Sequence, residues 1–295
     1  MGDWRSLTDY VAGIAGAPPD LEALEAVSGG CINEAAVFTF RHGRRYFVKR
    51  HDAARLDMFA AEADGLKALR ACGAVRVPAP LGAGAALGYA FLVLEHLSLS
   101  DVTSASQEAL GRQLAALHRA TQPQFGWHRD NAIGTTPQRN SRTDDWIEFW
   151  RRQRLDAQLH LAADNGAAPP LLRKGERLLA GLRRFFDGYA PPASLLHGDL
   201  WAGNAAQTDA GEPVLFDPAV YYGDREADIA MTELFGGFSN RFYSAYREAW
   251  PLDPGYRTRR DLYNLYHVLN HGNLFGGGYW ARAEQMIDRL LAEID

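Results

Sequence analysis

Two short apolar runs, each ending on a carboxylate, constrain this chain more than any other feature. The first, Leu195-Leu196, runs into His197-Gly198-Asp199-Leu200-Trp201-Ala202-Gly203-Asn204. The second, Val214-Leu215-Phe216, ends at Asp217-Pro218, thirteen residues past Asn204. Apolar runs of this length bounded by Gly and Pro read as strands, here at 194–196 and 214–216. A fold built on them has to present an Asp, a carboxamide five residues on, and a second Asp from two strand ends. Phosphoryl transfer requires such a set: a carboxylate to take the proton of an attacking hydroxyl, and oxygen ligands for Mg²⁺ on the nucleotide phosphates. Asp199 is therefore the candidate base, and Asn204 and Asp217 the candidate metal ligands. The competing reading is a pair of turns, which Gly, Asp, Asn and Asp-Pro all favour. Co-occurrence at this spacing argues against chance.

A third signal lies far upstream. The chain has three lysines, Lys49, Lys67 and Lys174, against 28 arginines. Lys49 closes the run Phe47-Val48-Lys49, and a compact ammonium suits the α/β-phosphates where a forked guanidinium does not substitute freely. Its neighbour Arg50 is expected on the opposite face of the strand. A solvated strand-end lysine is the bland alternative. Glu62, flanked by Ala61 and Ala63 on the following helix, is the expected counter-ion, with Asp64 as its competitor. Ser28-Gly29-Gly30-Cys31-Ile32-Asn33-Glu34 precedes the first clear strand. Gly29 and Gly30 would let backbone N–H groups approach a phosphate. Alone the segment reads as a hairpin turn, and its place one hairpin ahead of Lys49 raises it.

The intervening pattern predicts an α+β chain. A short helix over residues 3–15 is followed by strands at 35–40 and 45–50 around His42-Gly43, a helix over 55–71 stopped by Gly73, and a strand at 89–94. From Gln107 onward helical spacing dominates, with helices expected over 146–159 and 171–186 and throughout the chain after Arg225. The expectation is a small β-rich lobe with one helix, residues 1–97, and a larger mainly α-helical lobe, residues 98–295. Strand character ends at Glu95-His96-Leu97-Ser98, and a cleft between such lobes is where small ligands bind.

Composition narrows the partners. A formal net charge of -5 gives no electrostatic footprint for nucleic acid. An apolar share of 47% and a charged share of 23% are those of a soluble globular enzyme. The most apolar stretch, residues 81–97, is too short and too interrupted by Gly82, Gly84, Gly88, Glu95 and His96 to span a bilayer. The first ten residues lack the pattern of a secretory leader. Two cysteines, Cys31 and Cys72, make no disulfide framework and no zinc spacing, and a reducing cytoplasm is expected.

Taken together, these residues resemble the fructosamine kinase (ketosamine-3-kinase) family, a branch of the aminoglycoside phosphotransferase and protein-kinase-like group. The resemblance runs from about Ser28 to about Trp280. It is carried by the Ser28–Glu34 segment with its cysteine, the Glu62 helix, the His197–Asn204 loop with Trp201, and the run from Asp217 to Asp228. Tyr266–His271 and Asn273–Gly276 carry it further. It implies the two-lobed protein-kinase-like fold, and transfer of the ATP γ-phosphate to the 3-hydroxyl of a ketoamine, whose unstable 3-phosphate then releases the amine. By position, Lys49 would hold the α/β-phosphates and Glu62 would hold Lys49. Backbone at Glu95 to Leu97 would meet adenine, and Cys31 would offer a redox switch able to link two chains, so that monomer and redox-linked dimer are both open. The substrate would be a small ketoamine or a glycated lysine on a protein. The segment 125–134 looks like the bacterial type, which leaves fructosamine, ribulosamine and erythrulosamine open.

Trp201, two residues from the base, is the first candidate for substrate contact. Trp127 and Asn131, in the long 122–145 connection, and Tyr222 are further ones. His197, Asp224 and Asp228 read as structural, with Asp228 placed to accept from the catalytic loop and Asp224 to cap the next helix. Two other functions compete: a kinase of the same fold acting on another small alcohol such as an aminoglycoside or choline, and a non-catalytic nucleotide-binding module. The second would usually have lost one of Lys49, Asp199, Asn204 or Asp217.

Overall fold

A computed structural model describes residues 4–27 and 33–294. The Gly29-Gly30-Cys31 segment lies outside the described residues. A 3-10 turn at Trp4–Leu7 leads into α1 (Thr8–Ala15), which is followed by β1 (Leu21–Val27), β2 (Glu34–Phe40) and β3 (Arg45–Asp52). After α2 (Leu56–Cys72) come β4 (Pro80–Ala86) and β5 (Tyr89–Glu95). The five strands form one antiparallel sheet in the order β1-β2-β3-β5-β4.

Alternation along β3 and β5 sorts their side chains between two helices. Tyr46, Val48, Phe91 and Val93 pack with Leu7, Val11 and Ala12 under α1. Ala90, Leu92 and Leu94 pack with Phe59, Ala63, Leu66 and Leu69 of α2. Each fully buried Leu or Phe contributes about 1.5–3 kcal/mol. Arg50 falls on the α1 side, as the strand period requires. Its guanidinium bonds Glu34 at 2.6 Å and lies 3.9 Å from the Trp4 ring centroid and 4.6 Å from that of Tyr89. Lys49 falls on the α2 side. The N-terminal part thus carries α1, inside the 3–15 stretch expected to be helical, as well as α2.

The rest is mainly helical. It begins with β6 (Leu99–Ser100), α3 (Ser104–His118), β7 (Thr121–Gln122) and a hairpin of β8 (Asn131–Ile133) and β9 (Thr136–Gln138). Then come α4 (Trp146–Phe149), a π-helical stretch (Trp150–Asp156), α5 (Ala157–Asp164), α6 (Pro169–Gly181) and β10 (Ala193–Leu196). Next are β11 (Ala205–Thr208), β12 (Pro213–Leu215) and β13 (Tyr221–Gly223). Helices α7 (Glu226–Leu234), α8 (Asn240–Ala249), α9 (Tyr256–Phe275) and α10 (Gly278–Ala292) complete the chain. Two three-stranded ladders, β13-β10-β7 and β12-β11-β6, hold the loops that follow β10 and β12 side by side. A bridge between Arg76 and Val214, with the Leu215 N–H donating to the Arg76 carbonyl at 3.0 Å, ties the N-terminal part to β12. Among the described residues no helix is long and apolar enough to cross a membrane.

Candidate active site

Lys49, from the middle of the N-terminal sheet, reaches both acids placed near it by the fold. Its Nζ lies 2.6 Å from Glu62 Oε1 and 2.6 Å from Asp217 Oδ1. The Lys49 side chain is only 6% exposed, whereas that of Asp217 is 45% exposed. Burial alone would lower the Lys49 pKa, but the Asp217 and Glu62 carboxylates more than reverse it, so the ammonium stays charged. Glu62 faces inward because Ala61 and Ala63 are buried beside it on α2. Asp64 is spent elsewhere: it accepts from Arg129 at 2.7 Å and pairs with Lys67 at 3.5 Å. Helix α2 also leans directly on the strand after Asp217. A side chain at Gly65 would begin 3.0 Å from Val220 Cγ2.

The loop after β10 is held by its backbone. The N–H groups of His197 and Gly198 donate to the Asp228 carboxylate at 2.7 and 2.8 Å. Behind Asp228 stand His118 at 3.1 Å, then the Tyr246 hydroxyl at 2.8 Å from His118, then Arg225 at 2.9 Å from that hydroxyl, all buried. Burial would raise the Asp228 pKa, yet its bond to His118 and the loop amides hold it below the usual carboxylate range. His197 Nε2 faces the Phe216 carbonyl at 3.0 Å, and the Ala219 N–H donates to the His197 carbonyl at 2.9 Å. Burial keeps this imidazole neutral, a tie between the two loops. Asp224 accepts from Tyr263 at 2.6 Å, from Tyr189 at 3.0 Å and from the Glu226 N–H at 3.0 Å, at the start of α7.

Asp199 is half-buried. Burial, with the charge of Asp217 beside it, pushes its pKa up to about 7, against the hydrogen bond from Asn204. Asn204 Nδ2 donates to the Asp199 carbonyl at 2.8 Å and sits 3.4 Å from Asp199 Oδ2 and 3.5 Å from the Asp217 carbonyl. Asp217 itself has φ 57°, a left-handed conformation that costs a non-glycine residue roughly 1–3 kcal/mol and persists only where the surroundings enforce it. Among the described residues no three His, Cys, Asp or Glu side chains gather into a metal cage. Two protein oxygens, the exposed Asp217 carboxylate and Asn204 Oδ1, suit Mg²⁺ instead, which takes most of its ligands from phosphate and water.

Other candidates from the sequence are placed differently. The Glu95 amide donates to the Ala79 carbonyl at 2.8 Å, and its carboxylate is bound by Arg76 and by the Ala79 N–H at 3.1 Å. Leu97 is half-buried just beyond β5. Trp127 and Tyr222 stack on each other, centroids 5.6 Å apart. Both ends of the Asn131 amide are engaged by the protein itself. Trp201, by contrast, is 40% exposed. It meets Phe235 edge-on, and the row continues through His271 to Phe275 and Tyr279, each step 5.1–6.4 Å between centroids. The sequence reading did not single out Phe235 or Tyr279. Phe235 is revealed by its 41% exposure beside Trp201, and half-buried Tyr279 only by its ring contact with His271.

Comparison with known proteins settles the family. The family model for fructosamine kinase matches residues 3–293. The chain belongs to the fructosamine kinase family. It is 45% identical over 292 residues to a Synechocystis protein named "Probable ketoamine kinase", covering 98% of this chain and 97% of that one. It is 42% identical over 274 residues to the chloroplastic protein-ribulosamine 3-kinase of Oryza sativa subsp. indica, covering 92% of this chain and 79% of that one. A Haemophilus somnus crystal structure named "Putative fructosamine-3-kinase" superposes with a TM-score of 0.89 at 30% identity, covering 98% of each chain. The choline kinase LicA of Streptococcus pneumoniae shares the fold alone, with a TM-score of 0.65 at 14% identity over 98% of each chain. The family's fold is the protein-kinase-like one, and the chain is an ATP-dependent phosphotransferase.

Proposed function

We propose that this kinase phosphorylates the 3-hydroxyl of a ketoamine, and that residues 1–97 hold the nucleotide while residues 98–295 supply the chemistry. The observation that carries the reading is the convergence of Lys49, Glu62, Asp217, Asn204 and Asp199, drawn from two widely separated stretches of the chain and joined in one series of hydrogen-bonding contacts. Lys49 neutralises the α/β-phosphates, and Glu62 keeps its ammonium in place once Asp217 turns to a cation. Asn204 and Asp217 would hold Mg²⁺, which would supply charge neutralisation on the nucleotide phosphates. Asp199 accepts the proton of the sugar hydroxyl as that oxygen bonds to the γ-phosphorus and the bond to the β–γ bridging oxygen breaks. ADP, the 3-phosphate and one proton result. Burial, the larger cause of the raised Asp199 pKa, persists when Asp217 turns to the cation, so the carboxylate remains a stronger proton acceptor than an ordinary one, as a general base requires.

With the N–H and carboxylate of Glu95 engaged by Ala79 and Arg76, adenine contact falls to the remaining backbone groups between Glu95 and Leu97. The open row Trp201-Phe235-His271 gives the sugar and its amine carrier aromatic faces beside the base. The relatives named for ketoamine and ribulosamine support a substrate of that class. ADP release measured against fructoselysine and ribuloselysine, with an aminoglycoside and choline as controls, tests it. Turnover with a ketoamine is expected. Turnover only with a control alcohol would overturn the assignment.

A further inference from the structure

The connection between α3 and α4 is where the sequence placed Trp127 and Asn131 as candidates for substrate contact, yet its amides turn away from solvent. Asn131 Nδ2 donates to the Val220 carbonyl at 2.8 Å, and its Oδ1 accepts from Gln138 at 2.8 Å and Asn140 at 2.9 Å. Gln138 Nε2 also donates to the Ala219 carbonyl at 3.1 Å, and its Oε1 accepts from the Tyr266 hydroxyl at 2.7 Å. Asn140 Oδ1 accepts from Arg154 at 2.8 Å. Arg154 stands on the π-helical stretch, donates to the Arg139 carbonyl at 2.6 Å, and lies 4.0 Å from the Tyr221 ring centroid. Gln138, Asn140 and Arg154 are each 1% exposed or less.

The whole chain of contacts ends on the carbonyls of Ala219 and Val220, the residues just past Asp217-Pro218. That is where support is needed. Asp217 holds a left-handed backbone without being glycine, so its loop must be fixed from outside. His197 takes the Ala219 N–H, Gln138 and Asn131 bind the two carbonyls, and Gly65 lets α2 press on the Val220 side chain. Neutral amides suit the task, because a Lys or Arg bound to those carbonyls would compete with the cation for the Asp217 carboxylate.

We propose that Asn131, Gln138 and Asn140, keyed by Arg154, are positioning residues that aim the Asp217 carboxylate at the nucleotide-bound metal, and are not sugar contacts. This rests on the reading of Asp217 as a metal ligand. Calorimetric titration of a non-hydrolysable ATP analogue, with and without Mg²⁺, tests it in wild type, Gln138→Met and Asn131→Asp. Both variants are expected to bind the metal-free analogue within about twofold of wild type but to lose at least about fivefold of the Mg²⁺-dependent gain. In turnover, kcat falls while the ketoamine KM holds. An undiminished Mg²⁺-dependent gain, or a raised ketoamine KM at unchanged kcat, overturns the proposal. Should Gln138→Met not fold, Asn131→Asp at its half-buried position carries the test. Asp217→Asn is the control: if it keeps the full Mg²⁺-dependent gain, the reading of Asp217 itself fails, and that outcome is separate from failure of the amide cluster.

Discussion

Replacing Gly198 by Ala separates two costs that one residue carries at once. Its φ of 84° is left-handed, which costs an L side chain about 1–2 kcal/mol. Its missing Cβ would also lie 2.1 Å from the Ala219 carbonyl oxygen. Reaching an ordinary carbon–oxygen separation of about 3.3 Å requires the two loops to part by roughly 1 Å. That movement breaks the 2.9 Å bond from the Ala219 N–H to the His197 carbonyl, worth about 1 kcal/mol. It also pulls the loop amides off Asp228, where a charged acceptor makes a lost bond cost about 1.5–3 kcal/mol. Gly198→Ala should therefore destabilise by about 4–6 kcal/mol, a large part of a typical folding free energy. Gly43→Ala is the matched control. Its φ is 82° but nothing lies within 4 Å of the added Cβ, so it should cost only about 1–2 kcal/mol. Urea unfolding midpoints of the two variants measure the difference. Equal losses would refute the claim that the loops after β10 and β12 are locked in van der Waals contact at this point.

Three further outcomes follow from the same geometry. Glu62→Gln should leave the protein folded, since Lys49 keeps Asp217, but should lower kcat/KM for ATP roughly 10- to 150-fold, the equivalent of a charged hydrogen bond of about 1.5–3 kcal/mol. Steady-state kinetics with ATP varied checks this, and an unchanged kcat/KM would remove Glu62 from the site. Trp201→Ala and Phe235→Ala should each raise the ketoamine KM about five- to tenfold, as loss of an aromatic contact of about 1 kcal/mol predicts, while the ATP KM holds. His267 sets part of the acid limit. Burial, helped by the charge of nearby His271, lowers its pKa from 6.5 to about 3, so between those values the unfolded chain carries a proton that the folded one does not. Stability therefore rises with pH through that window and is complete above 6.5. At pH 5 the shortfall is about 2 kcal/mol. His267→Gln should lose that much less stability than wild type between pH 7 and pH 5, with His118 and His197, also held low by burial, keeping the remainder of the acid sensitivity.

Much of this fold was legible because its main elements carry their own signals. Helix α2 shows Phe59, Ala63, Leu66 and Leu69 at helical spacing and a left-handed Gly73 as its stop. Strands β2, β3, β5 and β10 are apolar enough to stand out unaided. β1 was not legible, because Leu21–Val27 is largely solvated and places glutamates among its apolar residues. β4 was not, because Pro80–Ala86 is built of small residues. β6, β7 and β13, two or three residues each, exist through pairing with distant chain, which no local pattern records, while β11 and the local β8–β9 hairpin are too short for a strand period to show. In the site, each of the charged residues that meet around Lys49 was readable from residue type and spacing. The role of the 122–145 connection was not. Its Trp, Asn and Gln content is equally that of a sugar wall and of a buried brace, and only the hydrogen-bond partners of Asn131 and Gln138 distinguish the two.

The central claim is that Asp199 removes the proton of a ketoamine 3-hydroxyl as ATP transfers its γ-phosphate. Rapid-quench turnover of Asp199→Asn with Mg²⁺, ATP and a ketoamine substrate, alongside nucleotide affinity measured on the same preparation, tests it most directly. Affinity should stay within about threefold of wild type while phosphorylation falls by about 10²- to 10⁴-fold. Phosphorylation within tenfold of wild type, or phosphate found on an oxygen other than the 3-hydroxyl in the wild-type product, would contradict it.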